Sequence, residues 1–178
     1  VAGRRIDAAT ASKPSFPESS EREVKLAVVR AFRERQVELV VASAACGADI
    51  VALEAARELG LRFRIVLPFE PARFRETSVV DRGESWGPRY DALLEAAQAR
   101  SDVVIVTESA TDDDGAYALA TRRILDEART AAGAPALVFA LAIWDEQPRA
   151  TTDATREFVE LARSAGMEIV TVSTLSRA

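Results

Sequence analysis

The chain has no histidine and a single cysteine, Cys46, among its 178 residues. Without histidine, Ser/His and Cys/His nucleophile pairs, imidazole proton relays and the commonest metal-ligand sets are excluded. One cysteine makes neither an internal disulfide nor a cysteine-rich zinc site. Lysine is nearly missing too, since all but Lys13 and Lys25 of the 23 basic residues are arginine. No apolar run approaches the ~18 residues that cross a bilayer, and the first residues carry no secretory hydrophobic stretch, so the expected location is cytoplasmic, with no membrane partner. Nor is there a surplus of positive charge: 23 Lys and Arg against 28 Asp and Glu leave a net charge of −5. Nucleic acid held through its phosphates is therefore a poor match as partner. Whatever chemistry the chain performs comes from carboxylates, hydroxyls, arginine, tyrosine and backbone amides.

What is present is 48% apolar and 29% charged, the composition of one globular domain over residues 1–178, large enough to bury a substantial core. Val1-Ala2-Gly3 reads as the tail of a strand begun earlier, which predicts a shortened first strand or a segment of a longer protein. From there the pattern alternates short apolar runs with amphipathic stretches. Ser20 and Glu23 have capping-box spacing ahead of a helix carrying Val24, Val28, Ala31 and Phe32. Strands are predicted at Leu39–Ser43, Phe63–Leu67, Asp102–Val106, Ala136–Ala142 and Glu168–Val172. Helices are predicted around Ile50–Leu59, Tyr90–Ala97 and Tyr117–Ala128, and around Phe158–Ala162, with Gly60 and Gly166 as left-handed stops. Phe69 to Gly87 reads as a long arginine-rich loop with a short helix near Ala72–Glu76, a candidate lid. The predicted architecture is α/β, a doubly wound, mostly parallel sheet of about six strands with helices on both faces. Ligands on such sheets sit beyond the carboxyl ends of the strands.

Several loops there carry candidate chemistry. Arg4 and Arg5 end the first strand, where a guanidinium meets phosphate or carboxylate in a two-pronged bond; a ligand role is expected for at least one of them. Ser43 to Asp49, including Ala44, Gly47 and Ala48, is built of small side chains before a helix. Two readings stand side by side: a cradle that lets phosphate reach backbone amides, or a tight turn in which Gly47 relieves a positive φ and Asp49 caps the helix. Arg73, Arg75, Arg82 and Arg89 are interleaved with Phe69, Phe74, Trp86 and Tyr90, a mixture able to clamp a base and its phosphates, although the arginine bias alone accounts for part of it. After the fourth strand come Glu108, Asp112, Asp113, Asp114 and Tyr117; Glu108 is the better ligand contact, and the aspartates read better as a solvated helix start. Asp145, after the fifth strand, is placed to meet a ribose or close its loop. Thr151 and Thr152 offer hydroxyls and amides to a phosphate, with Thr152 or Asp153 as a plain helix cap the competing reading. Cys46 reads as a small buried residue rather than a nucleophile.

Gly3-Arg4-Arg5, Ser43-Ala-Ala-Cys-Gly-Ala-Asp49, Leu53-Glu-Ala-Ala-Arg-Glu-Leu-Gly60 and Ile65-Val-Leu-Pro68 together resemble the SLOG superfamily. It gathers the DNA-processing protein A fold, the "lonely guy" phosphoribohydrolases and predicted nucleotide sensors; the nearest likeness is to its uncharacterised bacterial branch. The resemblance implies a Rossmann-like fold and a pocket for a nucleotide or nucleotide-derived ligand at Gly3, Arg4, Arg5, the Ser43–Asp49 loop and Pro68. It implies no required cofactor beyond such a bound nucleotide, and leaves room for a fused or partner effector domain and for a homo-oligomer. The phosphoribohydrolases carry a P-G-G-x-G-T-x-x-E loop with a catalytic glutamate. Ala150-Thr151-Thr152-Asp153-Ala154 here lacks the paired glycines and that glutamate, so a ligand-binding sensor or regulatory domain without a catalytic residue is the expected function. The alternative is glycosidic-bond hydrolysis of a nucleoside monophosphate, with Glu108 or Asp145 as the carboxylate. Single-stranded DNA handling ranks third, because of the net charge.

Overall fold

A computed structural model describes residues 1–107, 113–133, 138–149 and 153–175. Strands and helices alternate as β1 (Ala2–Gly3), α1 (Glu21–Glu34), β2 (Leu39–Ala42), α2 (Ala48–Glu58), β3 (Arg62–Leu67), α3 (Pro71–Ser78), α4 (Trp86–Gln98), β4 (Val103–Ile105), α5 (Asp113–Ala132), β5 (Phe139–Trp144), α6 (Ala154–Ser164) and β6 (Glu168–Ser173). Among the described residues, no helix is long and apolar enough to cross a membrane.

Every strand pairing is parallel, as helical connections between consecutive strands require. The strands form two three-stranded sheets, in the orders β1-β5-β6 and β2-β3-β4, which corrects the expectation of one sheet of about six. The reason lies in β1. Its two residues pair with β5, Ala2 opposite Ala142 and Gly3 opposite Ile143, leaving too little strand for a second ladder. The Val1 nitrogen donates to the Val41 carbonyl at 2.7 Å, and so ties β1 to β2 with a single bond.

Helices cover both faces, and the strand sequences show why. Val40, Ala42, Ile65, Leu67, Leu141 and Ile143 belong to a core shared with Val28 and Phe32 of α1, Leu53 of α2 and Leu93 of α4. Their neighbours Val41, Val66, Ala140 and Ala142 belong to a second core with Ile124 of α5 and Phe158 of α6. Successive strand residues point to opposite faces, so a run that is apolar throughout is buried twice over.

Three local expectations change. Ser20 is buried within a 3-10 turn, has helical φ and ψ, and makes no capping bond, so the capping box does not form. The Phe69–Gly87 stretch is more helical than expected: the short helix near Ala72–Glu76 forms as α3, which starts at Pro71, suited to a first helical turn because it has no amide to leave unpaired, and α4 starts at Trp86. Phe69, Phe74, Trp86 and Tyr90 are all at most 5% exposed, so these aromatics anchor the two helices to the core. The fifth strand runs on to Trp144, while residues 134–137, where it was expected to begin, lie outside the described residues.

Candidate functional site at the ends of β1 and β5

At the carboxyl end of β1 the chain passes between β5 and the start of α2. A Cβ on Gly3 would collide with the Ile143 carbonyl oxygen and the Ala48 side chain. Gly47, at φ 106°, lies against the next stretch, where an added Cβ would stand 2.5 Å from the Ile6 nitrogen and 2.7 Å from the Arg4 carbonyl oxygen. Both positions therefore require glycine, for close approach of the protein's own backbone.

That packing engages three amides of the small-residue loop. Ala48 N donates to the Arg4 carbonyl at 3.0 Å, Cys46 N to Ser78 O at 3.0 Å, and Ala45 N to the Asp49 carboxylate at 3.2 Å. Ser43 Oγ bonds Val66 O at 2.7 Å, and Ala44 and Ala48 are core residues. Of the two readings of this loop, the geometry is that of the tight turn, with one change. Asp49 sits inside the first turn of α2 and reaches back to Ala45, while Gly47 occupies the N-cap position. Asp49 is 8% exposed, and burial pushes its carboxyl up to about 6, with the Ala45 hydrogen bond opposing. Cys46 is wholly buried and its thiol is pushed up by burial, with Arg5 opposing.

Arg4 is 3% exposed. Its Nε donates to Asp145 at 2.8 Å, Nη1 to Asp153 at 2.7 Å, and Nη2 to the Gln147 carbonyl at 2.6 Å, while the guanidinium lies 5.3 Å from the Trp144 ring centroid. Its charge is thus answered by two buried carboxylates, and it staples the loop between β5 and α6 onto the end of β1. Asp153 also caps α6 by accepting from Arg156 N at 3.1 Å, as the capping reading expected. Burial pushes the Asp153 carboxyl up, but Arg4 and the amides of Arg149 and Arg156 outweigh it and hold the group below its usual range.

A cavity of about 230 Å³ opens beside this staple, lined by Gly3, Arg4, Arg5, Asp7, Arg82 and Arg149 and by Ala154 and Thr155 of α6, among others. Arg5 pairs with Asp81, reaches Cys46 Sγ at 3.5 Å, and keeps a buried Nε with no acceptor among the described residues. Arg82 lies 3.6 Å from the same Asp81. A second cavity of about 350 Å³ shares Arg149, Asp153 and Ala154 with the first and adds Asp114, Tyr117, Arg156, Glu157 and Glu160. Tyr117 reaches it from α5, with its hydroxyl 2.6 Å from Ser78 Oγ and its ring edge-on to Phe69.

The structure therefore gathers Gly3, Arg4 and Arg5 at one cavity and Tyr117 at its neighbour. Ser43, Ala44, Gly47, Ala48 and Asp49 do not line either cavity. Asp145 is held by Arg4 at 6% exposure, and Pro68 is buried at the end of β3. Glu108, Asp112, Thr151 and Thr152 lie outside the described residues. The expected clamp of arginines and aromatics is not assembled. Arg75 forks onto Asp91 at 2.8 and 3.0 Å, Arg89 onto Glu54 at 2.8 Å twice, and Arg73 pairs with Asp113 while lying over Phe69. Sequence reasoning places Asp7 and Arg149 in strand-end loops, Gly3 to Asp7 and Trp144 to Asp153, but singles out neither. The charge of Arg149, in the loop after the fifth strand, was the signal available. No group of three or more potential metal ligands converges among the described residues. No protein-family model matches the chain, and no curated protein matches it either.

Proposed function

We propose that this protein binds a nucleotide or nucleotide-derived small ligand at the carboxyl ends of its parallel strands, as a sensor or regulatory domain of SLOG type. One observation carries the reading: Arg4, Arg5, Arg82, Arg149 and the first turn of α6 all border one cavity of about 230 Å³. Guanidinium forks match phosphate oxygens, and the start of a helix of 11 residues favours negative charge. The unpaired Arg5 Nε adds a donor in want of an acceptor. On this reading the two sheets are halves of one Rossmann-like, doubly wound sheet in the order β6-β5-β1-β2-β3-β4, for which the Val1–Val41 hydrogen bond is the support. Chain order then reverses between β1 and β5, where such sheets bind ligands.

Binding is favoured over glycosidic hydrolysis because Asp145, the described carboxylate proposed for that reaction, is engaged by Arg4 and does not border the cavity. An acid or base must reach the proton it transfers. The test is a thermal-shift panel of adenosine and guanosine mono-, di- and triphosphates, NAD, ADP-ribose and cyclic nucleotides, run on the wild type and Arg82→Ala. Ligand at 100 times its Kd adds about 2.7 kcal/mol. A shift with one ligand class that Arg82→Ala weakens is the expected result. No shift with any of them ends the reading, and release of free base would transfer it to the hydrolase.

A further inference from the structure

We infer that Arg149 is the arginine an anionic ligand recruits, and that its release from Ser15 couples occupancy of the cavity to the loop of residues 8–14. The inference rests on the anion-binding reading above and adds a means of signalling to it. Charge pairing singles Arg149 out. Arg4 is matched by Asp145 and Asp153, and Arg5 and Arg82 share Asp81. Arg149 alone of the four has no carboxylate paired with its side chain among the described residues. Its Nη2 donates instead to a neutral acceptor, Ser15 Oγ, at 2.8 Å.

Ser15 in turn donates its hydroxyl hydrogen to Asp7 at 2.8 Å, and the same carboxylate accepts from the Ser15 and Phe16 amides. Arg149, Ser15 and Asp7 thus form a polar chain whose two ends, Arg149 and Asp7, line the same cavity. The chain closes the base of a loop whose residues 9–14 are exposed. A guanidinium meets a phosphoryl group with opposite charge and in a two-pronged bond, neither of which a neutral serine hydroxyl offers. A phosphoryl oxygen in the cavity therefore outcompetes Ser15 Oγ for the guanidinium. Because Arg149 also borders the cavity beside Tyr117, the swing stays within space the two cavities already share. Losing Arg149 leaves the Ser15 end of the loop held by Asp7 and by the Thr174 hydroxyl on the Ser15 carbonyl, and its amides open more often.

Ligands commonly slow amide exchange where they bind, so the coupling predicts the opposite sign for one loop. Inorganic phosphate and pyrophosphate are titrated by calorimetry into wild type, Arg149→Gln and Ser15→Ala, with hydrogen exchange of residues 8–14 followed alongside. Expected are roughly 10- to 100-fold weaker binding in Arg149→Gln and faster loop exchange when phosphate binds the wild type. Ser15→Ala is expected to bind more tightly, with a loop that exchanges fast with or without phosphate. Because the Arg149 side chain is exposed, an unchanged denaturation midpoint for Arg149→Gln shows that the fold is intact. Binding unaffected by Arg149→Gln, or loop exchange that slows or stays constant, overturns the inference and leaves the anion site standing. Absence of phosphate and pyrophosphate binding overturns both. An Arg149-dependent response to phosphate together with a silent nucleotide panel sinks only the nucleotide reading.

Discussion

Arg4 and Arg5 are neighbours in sequence with opposite fates, and the difference is burial. Arg4 points between β1 and α6, where two carboxylates and a carbonyl take its donors; Arg5 is on the cavity side, one third exposed. Removing one member of a buried ion pair strands the others, so Arg4→Met should cost about 3–5 kcal/mol, measured by urea denaturation. Adding Asp145→Asn and Asp153→Asn should recover part of that loss. A triple variant no more stable than the single one would show that Arg4 acts by packing rather than by charge. Gly47→Ala is the second test at this scale. A left-handed φ costs a side chain about 1–3 kcal/mol, and the collision with Ile6 N and the Arg4 carbonyl adds to it. A Gly47→Ala protein with a wild-type midpoint would mean that the backbone yields there.

At the scale of the element, α6 depends on Asp153 twice, as N-cap and as partner of Arg4. An N-cap alone is worth about 0.5–2 kcal/mol, so Asp153→Ala should exceed that range in wild type and fall back within it in an Arg4→Met background. A double-mutant cycle reads the coupling directly; zero coupling would separate the two roles. The helices α3 and α4 make the complementary point. Their arginines lie next to aromatics in sequence, which suggested a clamp. Each instead found a carboxylate on a neighbouring helix or loop, Arg75 with Asp91 and Arg89 with Glu54 and Glu21, while the rings turned inward. Sequence spacing cannot tell a ligand-facing arginine from one paired across an interface, because the partner is 16 to 68 residues away.

At the scale of the whole molecule, two buried carboxylates should shape stability against pH with opposite signs. Asp49, pushed up to about 6 by burial, keeps a proton that the unfolded chain, at about 3.9, has released. The contribution of Asp49 therefore falls as pH rises from about 4 to about 6, by about 3 kcal/mol in total. Asp102 does the reverse. The Arg62 fork, with Arg64 behind it, holds its carboxyl below the usual range against burial, so its contribution is present above about pH 4 and disappears as pH falls through the folded value. Asp49→Asn should raise stability at pH 7.5 and flatten the arm between pH 4 and 6, leaving the acid arm in place. A slope unchanged by Asp49→Asn would assign it to another group.

Sequence alone determined the alternation of strands and helices, because an apolar run buried on both faces and an amphipathic run buried on one have different periods. It also determined that Gly47 belongs to a tight turn or a cradle, that Cys46 is buried, and that any chemistry comes from carboxylates, hydroxyls, arginine, tyrosine and backbone amides. Tertiary structure decided which turn that was, since the atoms crowding Gly47 come from residues 4–6. It decided that the strands divide three and three, through the shortness of β1, and that Arg4 is a staple rather than an open cation. The pairing of Arg149 with Ser15 spans 134 positions, and such distant contacts follow from how the layers pack, which no local pattern records.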